Sequence, residues 1–246
     1  MKKNNNLIYK DISKKIIPDN VLQREIEKLL KATYNEAENE FEKNVIDPFS
    51  FLFECILFNK KNHNDWKKSE ILRKQQKAFG NHLGRFHQNI MCSMQDCYEP
   101  EEGGVDFVNE KKKIIAEIKN KHNSTNQDSK AGSFDKLKHE LSKKNREDFT
   151  AYFVTILPKN IKDYETQFIT TKNKTKSQYR EPDEKILTTN AELFYEKISE
   201  TKNILKSIYQ RIPEIIIKID SSKKKNIEKL VKEKEFNYYL FRAYGE

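Results

Sequence analysis

The chain has 246 residues and a formal net charge of +9; 35% of its residues are charged, 36% hydrophobic and 11% aromatic. This length can bury the core of one large domain or two small ones, and the aromatic content argues against a disordered chain. A basic chain suggests a polyanionic partner such as nucleic acid, although the excess of lysine is also what a bias in composition would produce.

The cysteines and the apolar segments bear on the cellular compartment in which we expect the protein. Cys55, Cys92 and Cys97 do not form a disulfide framework in a chain of this size, and we expect reduced thiols. The N-terminus lacks the apolar run of a secretion signal, and no stretch approaches the roughly 18 apolar residues of a membrane span. We therefore expect a soluble, cytoplasmic protein that makes no membrane contact.

The first third of the chain is predicted to be mainly helical. Apolar residues recur at helical spacing over Asp19–Lys43 and predict a first helix. The apolar run FSFLFECILF after Pro48 predicts a buried helix. The segment DWKKSEILRKQQKAFGNHLGRFHQNIM predicts a helix, a break near Gly80 and Asn81, and a second helix toward Met94.

After the EPEEGG turn the pattern changes to alternation. The runs GVDFVN and KIIAEIKN, joined by a polar turn, predict a β-hairpin. STNQDSKAGS predicts a polar loop, FDKLKHELSKK a helix and FTAYFVTILP a buried strand. TTKNKTKSQYREPDE predicts another loop, followed by a helix over residues 191–209, a strand at PEIIIKID, a helix at NIEKLVKEKEF and an extended end at NYYLFRAYG.

This order of elements predicts an α/β fold, with a mixed central β-sheet flanked by helices and a helical N-terminal region. We expect one domain over residues 1–246. Residues 1–65 would form the helical N-terminal region, residues 66–160 the core, and residues 161–246 the C-terminal helices and strands.

The predicted hairpin carries charges where a buried strand prefers apolar side chains. Because strand residues alternate faces, Glu117 and Lys119 share one face. A turn of two residues or of four residues gives paired positions that sum to 223, so Asp106 falls opposite Glu117 in both cases. Like charges placed in this way are destabilising unless one carboxyl is protonated or a cation is present. Lys119 is one candidate cation, and Mg²⁺, which prefers oxygen ligands, is the other.

An acid, a hairpin turn and then acid-x-lysine resembles the signature of the PD-(D/E)xK nuclease superfamily. The wider stretch KSEILRKQQKAFGNHLGRFHQNIM, followed by GVDFVNEKKKIIAEIKNKHNSTNQDS, resembles type II restriction endonucleases that cut short GC-rich palindromes with a degenerate central base, GGNCC/GGWCC-type sites. The likeness covers roughly residues 66–160, which would be the catalytic core. One departure is Val105, which stands where the superfamily usually has a proline.

The resemblance implies roles for four residues. Asp106 and Glu117 would bind Mg²⁺, and Lys119 would orient or deprotonate the attacking water and stabilise the transition state. Water would attack phosphorus in line and leave a 5′-phosphate and a 3′-hydroxyl. Glu70 matches an acid that completes the catalytic metal shell in some members; the alternative is a helix acid that is solvated or paired with a neighbouring lysine.

Several polar residues are candidates for DNA contacts. The polar run that leaves the second hairpin strand offers amides and hydroxyls for base edges, although an ordinary polar loop has the same composition. Its candidate residues are Asn120, Lys121, His122, Asn123, Ser124 and Asn126. Gln88 and Asn89, on the preceding helix, are candidates for backbone contacts, with a packing role as the alternative for Asn89.

The resemblance also implies partners. These are double-stranded DNA, a second copy of the chain in a homodimer, and a cognate methyltransferase that protects host DNA. Two alternatives remain. One is another PD-(D/E)xK nuclease that repairs DNA or resolves junctions. The other is a non-catalytic basic nucleic-acid-binding protein in which the three hairpin residues form a structural ion cluster.

Overall fold

The computed structural model describes residues 13–43, 45–101, 103–123, 126–159, 164–170 and 180–244. The chain divides into two compact units. One combines Met1–Glu25 with His87–Glu246, and the other is Ile26–Phe86. The prediction of one nuclease domain over residues 1–246 stays a prediction.

Among the described residues, the N-terminal part contains three helices of ten residues or more: α1 (Asp19–Lys43), α2 (Pro48–Leu57) and α3 (His63–Cys92). The helical N-terminal region is thereby confirmed. The predicted break near Gly80 is wrong, because α3 continues through it. A single glycine costs a helix only about 1 kcal/mol, which the buried side chains along α3 offset.

The prediction that α2 is buried is also wrong. None of its residues is buried, and most of its large apolar side chains are exposed. An apolar run favours burial of a helix, but it does not identify the surface against which the helix would be buried.

The sheet is mixed, as predicted. In the described residues it contains six strands: β1 (Cys97–Tyr98), β2 (Phe107–Asn109), β3 (Ile114–Lys121), β4 (Thr150–Leu157), β5 (Glu165–Gln167) and β6 (Ile186–Asn190). Their spatial order is β1-β2-β3-β4-β6-β5. The central pairs β3–β4 and β4–β6 are parallel, and the remaining pairs are antiparallel.

Helices cover both faces of this sheet. On one face α4 (Gln127–Leu141), which connects the parallel strands β3 and β4, contributes Phe134 and Leu137 to a core that includes Ile115 of the sheet. On the other face, Phe194 of helix α5 (Ala191–Ser199) packs its ring against two aromatic rings of the sheet. A sheet buried on both faces explains why β4 is almost uniformly apolar.

Part of the stretch predicted as a polar loop is helical. Helix α4 begins at Gln127, and the side chain of Asn126 caps it by accepting a hydrogen bond from the amide of Ser129 at 2.8 Å. The same polar side chains that favour loops also favour helix N-caps, which is why composition alone misplaced this boundary. Most of the second predicted loop, residues 171–179, lies outside the described residues.

The C-terminal part contains four helices among the described residues: α5 (Ala191–Ser199), α6 (Ile204–Ile219), α7 (Lys224–Leu230) and α8 (Lys234–Tyr244). The single helix predicted over 191–209 is therefore two helices. The strand predicted at PEIIIKID is wrong, because this segment is the second half of α6. The extended end is also wrong, because its described residues, 237–244, belong to α8. None of the described helices is long and apolar enough to cross a membrane.

Candidate active site

The hairpin of β2 and β3 has the register that the sequence predicts. Phe107 pairs with Ala116 and Asn109 with Ile114, so paired positions sum to 223. The turn has four residues, Glu110–Lys113, which is one of the two lengths that fit this sum.

A side-chain hydrogen bond and one left-handed residue explain how the turn forms. The side chain of Asn109 accepts a hydrogen bond from the amide of Lys112 at 2.8 Å, which closes the turn. Lys113 then adopts a left-handed conformation with φ of 57° and leads the chain into β3.

Asp106 directly precedes β2 and is anchored to β3. Its amide donates to the carbonyl of Ala116 at 2.9 Å, and its Oδ2 accepts a hydrogen bond from the amide of Ile118 at 2.8 Å. Asp106 therefore contacts the backbone on either side of Glu117, through its amide at Ala116 and through its carboxylate at Ile118.

Glu117 is 4% exposed and accepts hydrogen bonds from two lysines. Its Oε1 is 2.6 Å from Nζ of Lys119, two residues along β3. Its Oε2 is 2.7 Å from Nζ of Lys136 on α4. The two ammonium groups compensate the buried charge that the strand composition leaves unexplained.

Sequence reasoning missed Lys136. A signal was present, because Ser133, Leu137 and Glu140 are buried at helical spacing and Lys136 borders the face that they define. The orientation of this face toward Glu117 depends on how α4 crosses the sheet, which periodicity does not give.

The electrostatics of Asp106 are those of a carboxylate that a bound cation would stabilise. Burial and the negative charge of Glu117 raise the pKa of Asp106, while the Ile118 amide and the two lysines act in the opposite direction. A carboxylate that is destabilised by a second carboxylate gains from a bound cation.

The donor set fits Mg²⁺. Asp106 and Glu117 offer hard oxygen ligands, and Mg²⁺ commonly binds through one or two carboxylates while water and substrate phosphate supply the remaining ligands. Within the part of the chain that the structure describes, no group of three or more His, Cys, Asp or Glu residues could hold a metal ion. The two carboxylates would therefore be the protein's contribution from this hairpin.

Gln88 supports the position of Asp106 from helix α3. It is 8% exposed, and its Nε2 donates to the backbone carbonyl of Asp106 at 3.0 Å. Its neighbour Asn89 donates to Oε2 of Glu25 at 2.7 Å. Both amides thus make contacts within the protein, and their contact with DNA stays a prediction.

The polar run after the candidate catalytic residues emerges at the end of β3. Asn120 is half-buried, and Lys121, His122 and Asn123 are exposed. The amide of His122 donates to the carbonyl of Leu157 on β4 at 3.1 Å, which holds the start of this run against the sheet.

Two further members of that run stand apart. Asn126 is exposed and caps α4, whereas Ser124 lies outside the described residues. A DNA-contacting role for the run stays a prediction.

Glu70 belongs to the unit Ile26–Phe86, whereas Asp106 and Glu117 belong to the other unit. Its carboxylate pairs with the guanidinium of Arg73, with both contacts at 2.7 Å, and this hydrogen bonding is the main cause that lowers the pKa of Glu70. The direct partner is therefore an arginine and not a neighbouring lysine. The catalytic and metal-binding roles of Glu70 stay predictions.

Comparison with known proteins identifies the family. The model of the family described as Eco47II restriction endonuclease matches residues 12–221. The type II restriction enzyme Eco47II of Escherichia coli is 35% identical over 206 residues, which are 81% of this chain and 85% of that enzyme. The type II restriction enzyme Sau96I of Staphylococcus aureus is 26% identical over 181 residues, 71% of this chain and 67% of that enzyme. No solved structure matches the chain. With a match over most of its length, this chain belongs to the Eco47II restriction endonuclease family.

Proposed function

We propose that this type II restriction endonuclease makes Mg²⁺-dependent double-strand cuts in DNA at a short palindromic site and leaves 5′-phosphate and 3′-hydroxyl ends. The observation that carries the proposal is the hairpin site, where Asp106 is anchored beside Glu117 and Lys119 contacts the Glu117 carboxylate at 2.6 Å. This arrangement combines two carboxylates that could bind a cation with a lysine that could act on the attacking water.

In this mechanism the chain fixes the reacting groups by its backbone. The Ile118 amide and the Gln88 side chain hold the two ends of Asp106, so its carboxylate keeps one position. Asp106 and Glu117 would hold Mg²⁺, which when bound would act as a Lewis acid on the scissile phosphate and on bound water.

Lys119 would act on the attacking water. Its side chain is 27% exposed, so Lys119 can be reached from solvent while it stays paired with Glu117. As an ammonium it can orient the water and stabilise the charge that develops on the phosphate oxygens, and it would accept the water's proton only after releasing one of its own. In-line attack breaks the bond from phosphorus to the 3′-oxygen, which leaves as the hydroxyl end.

The partners follow from the substrate. A palindromic site presents the same half-site twice, so a two-fold homodimer would give each strand one active site. Such an enzyme needs a cognate DNA methyltransferase to protect host DNA, and we place both in the cytoplasm with that DNA. The net charge of +9 favours association with the phosphate backbone.

The test is cleavage of supercoiled plasmid DNA by the purified chain with Mg²⁺ and with chelator. We expect defined fragments with Mg²⁺ only, and sequencing of their ends gives the site and the overhang. Random fragments would indicate another nuclease of the superfamily, and intact plasmid over a range of salt and pH would reject the catalytic proposal.

Variants separate catalysis from an ion cluster that only stabilises the fold, which the pairing of Glu117 with two lysines also favours. Asp106→Asn and Lys119→Ala should each abolish cleavage while DNA binding without Mg²⁺ and the circular dichroism spectrum stay unchanged. Lys138→Ala, at an exposed position of α4, is the matched control and should cleave normally. Loss of folding in both site variants would support the structural role instead.

A further inference from the structure

We propose that the exposed apolar face of α2 is the surface through which two copies of this chain pair. Phe49, Leu52, Phe53 and Ile56 follow one another at i, i+3, i+4 and i+7, which places them along one side of the helix. Their exposed fractions are 70%, 53%, 57% and 64%. We call these four residues the α2 stripe.

The opposite side of α2 is already in contact with its own unit. The ring of Phe51 meets the ring of Trp66 edge-on, with centroids 5.0 Å apart, and the indole Nε1 donates to Oε2 of Glu54 at 2.9 Å. Asp47 caps the helix by accepting from the amide of Phe49 at 3.0 Å. These contacts fix which side of the helix points to solvent.

The exposed apolar area suits a protein interface. Next to the stripe on the same side, Leu57 is 71% exposed. An aromatic side chain can bury about 150–250 Å², so these five side chains together offer roughly 500–600 Å², most of the roughly 800 Å² per partner of a standard interface. Monomeric soluble proteins rarely expose so large a continuous apolar patch without a function.

The charge of α2 excludes two other occupants. Its only charged residue is Glu54, whereas a surface that binds DNA needs lysine or arginine to neutralise phosphates. Helices that lie on membranes also carry lysine or arginine on their polar face. An apolar face of this kind fits another apolar face.

A second copy supplies that face by symmetry. In a two-fold interface the same patch serves both partners, so an apolar stripe is complementary to itself. This inference rests on the proposed homodimer, in which each copy brings one set of Asp106, Glu117 and Lys119 to one strand. It adds to that proposal the segment that forms the contact.

The test is sedimentation velocity of the purified full chain without DNA and without metal. We expect the wild type to be a dimer at micromolar concentration. Leu52→Glu and Phe53→Glu should weaken the dimer at least 100-fold and sediment as monomers. Leu230→Glu is the matched control, because Leu230 is also 53% exposed but lies in the other unit, and this variant should remain a dimer.

Both stripe variants should keep the wild-type circular dichroism spectrum and urea midpoint, because the replaced side chains are more than half exposed. A monomeric wild type, dimeric stripe variants, or wild-type protein that co-sediments with vesicles of anionic phospholipid would each overturn the proposal. Cleavage of DNA is measured separately, so a dimer that does not cut DNA would reject the nuclease proposal and leave this interface standing.

Discussion

At the scale of single residues, the contacts of Glu117 show which neighbours a strand pattern can predict and which it cannot. Lys119 is two positions along β3, so alternation alone places it beside Glu117. Lys136 comes from a helix, and its 2.7 Å contact with the same carboxylate depends on packing that the sequence does not express as a motif. Asp106 is an intermediate case, because its position beside Glu117 follows from the register of the hairpin.

We expect Lys136→Met to slow plasmid cleavage by about 10- to 100-fold, the usual effect of removing a partner that orients a metal ligand. The reason is that Oε2 of Glu117 loses the ammonium that holds it. Lys136→Arg keeps a positive donor and should retain most of the activity. Initial rates at saturating Mg²⁺ measure the effect.

Lys138→Met is the control for this variant, since Lys138 is exposed on the same helix. DNA binding without Mg²⁺ should be the same for all three variants. Cleavage by Lys136→Met at the wild-type rate would contradict a positioning role for Lys136.

At the scale of elements, the sequence predicted the hairpin, β4 and the helices α1 and α2, where the pattern of apolar residues is clear. It failed at α6, because three consecutive isoleucines after Pro213 resemble a strand. In the structure the buried residues Ile204, Leu205, Ile208 and Ile215 follow a helical period, and Pro213 lies inside the helix. The packing of these buried residues along one side of α6 outweighs the low helix propensity of proline and the strand preference of isoleucine.

The glycine turn before β2 is another element whose role only the structure shows. Gly103 and Gly104 both have positive φ, at 75° and 94°. A Cβ on Gly104 would lie 2.6 Å from Oε1 of Glu140, whereas a Cβ on Gly103 meets no atom within 4 Å. Glu140 is 3% exposed and paired with Arg146, so it has little freedom to move away.

We therefore expect Gly104→Ala to destabilise the fold more than Gly103→Ala. Gly103→Ala carries only the cost of an alanine at positive φ, about 1 kcal/mol. Gly104→Ala adds the displacement of Glu140 and should cost about 2–4 kcal/mol in total. Urea unfolding of both variants measures the difference in the free energy of unfolding, and equal midpoints would show that Glu140 moves away freely.

At the scale of the whole molecule, the unit that holds the candidate site is closed by contacts between residues far apart in the chain. Arg211 on α6 is 1% exposed and donates to the carbonyl of Ile17 and the carboxylate of Asp19, both at 2.7 Å. His87 Nδ1 lies 3.1 Å from the hydroxyl of Tyr195. Such contacts leave no local pattern, so structural partners of the C-terminal residues could not be predicted from the sequence.

His87 makes the stability of this unit depend on pH. Burial lowers its pKa to about 4 from the ordinary 6.5. As the pH falls from 6.5 toward 4, the unfolded chain takes up a proton that the folded chain does not, so the free energy of unfolding decreases by up to about 3 kcal/mol. Above pH 6.5 the stabilisation that comes from keeping His87 neutral and buried is fully present.

We expect urea unfolding between pH 4.5 and 7.5 to show the decrease in the free energy of unfolding in the wild type and in the control His139→Gln. The wild-type side chain of this control position is exposed on α4. His87→Gln has no titrating ring and should show a shallower pH dependence, and a slope parallel to the wild type would contradict the assignment.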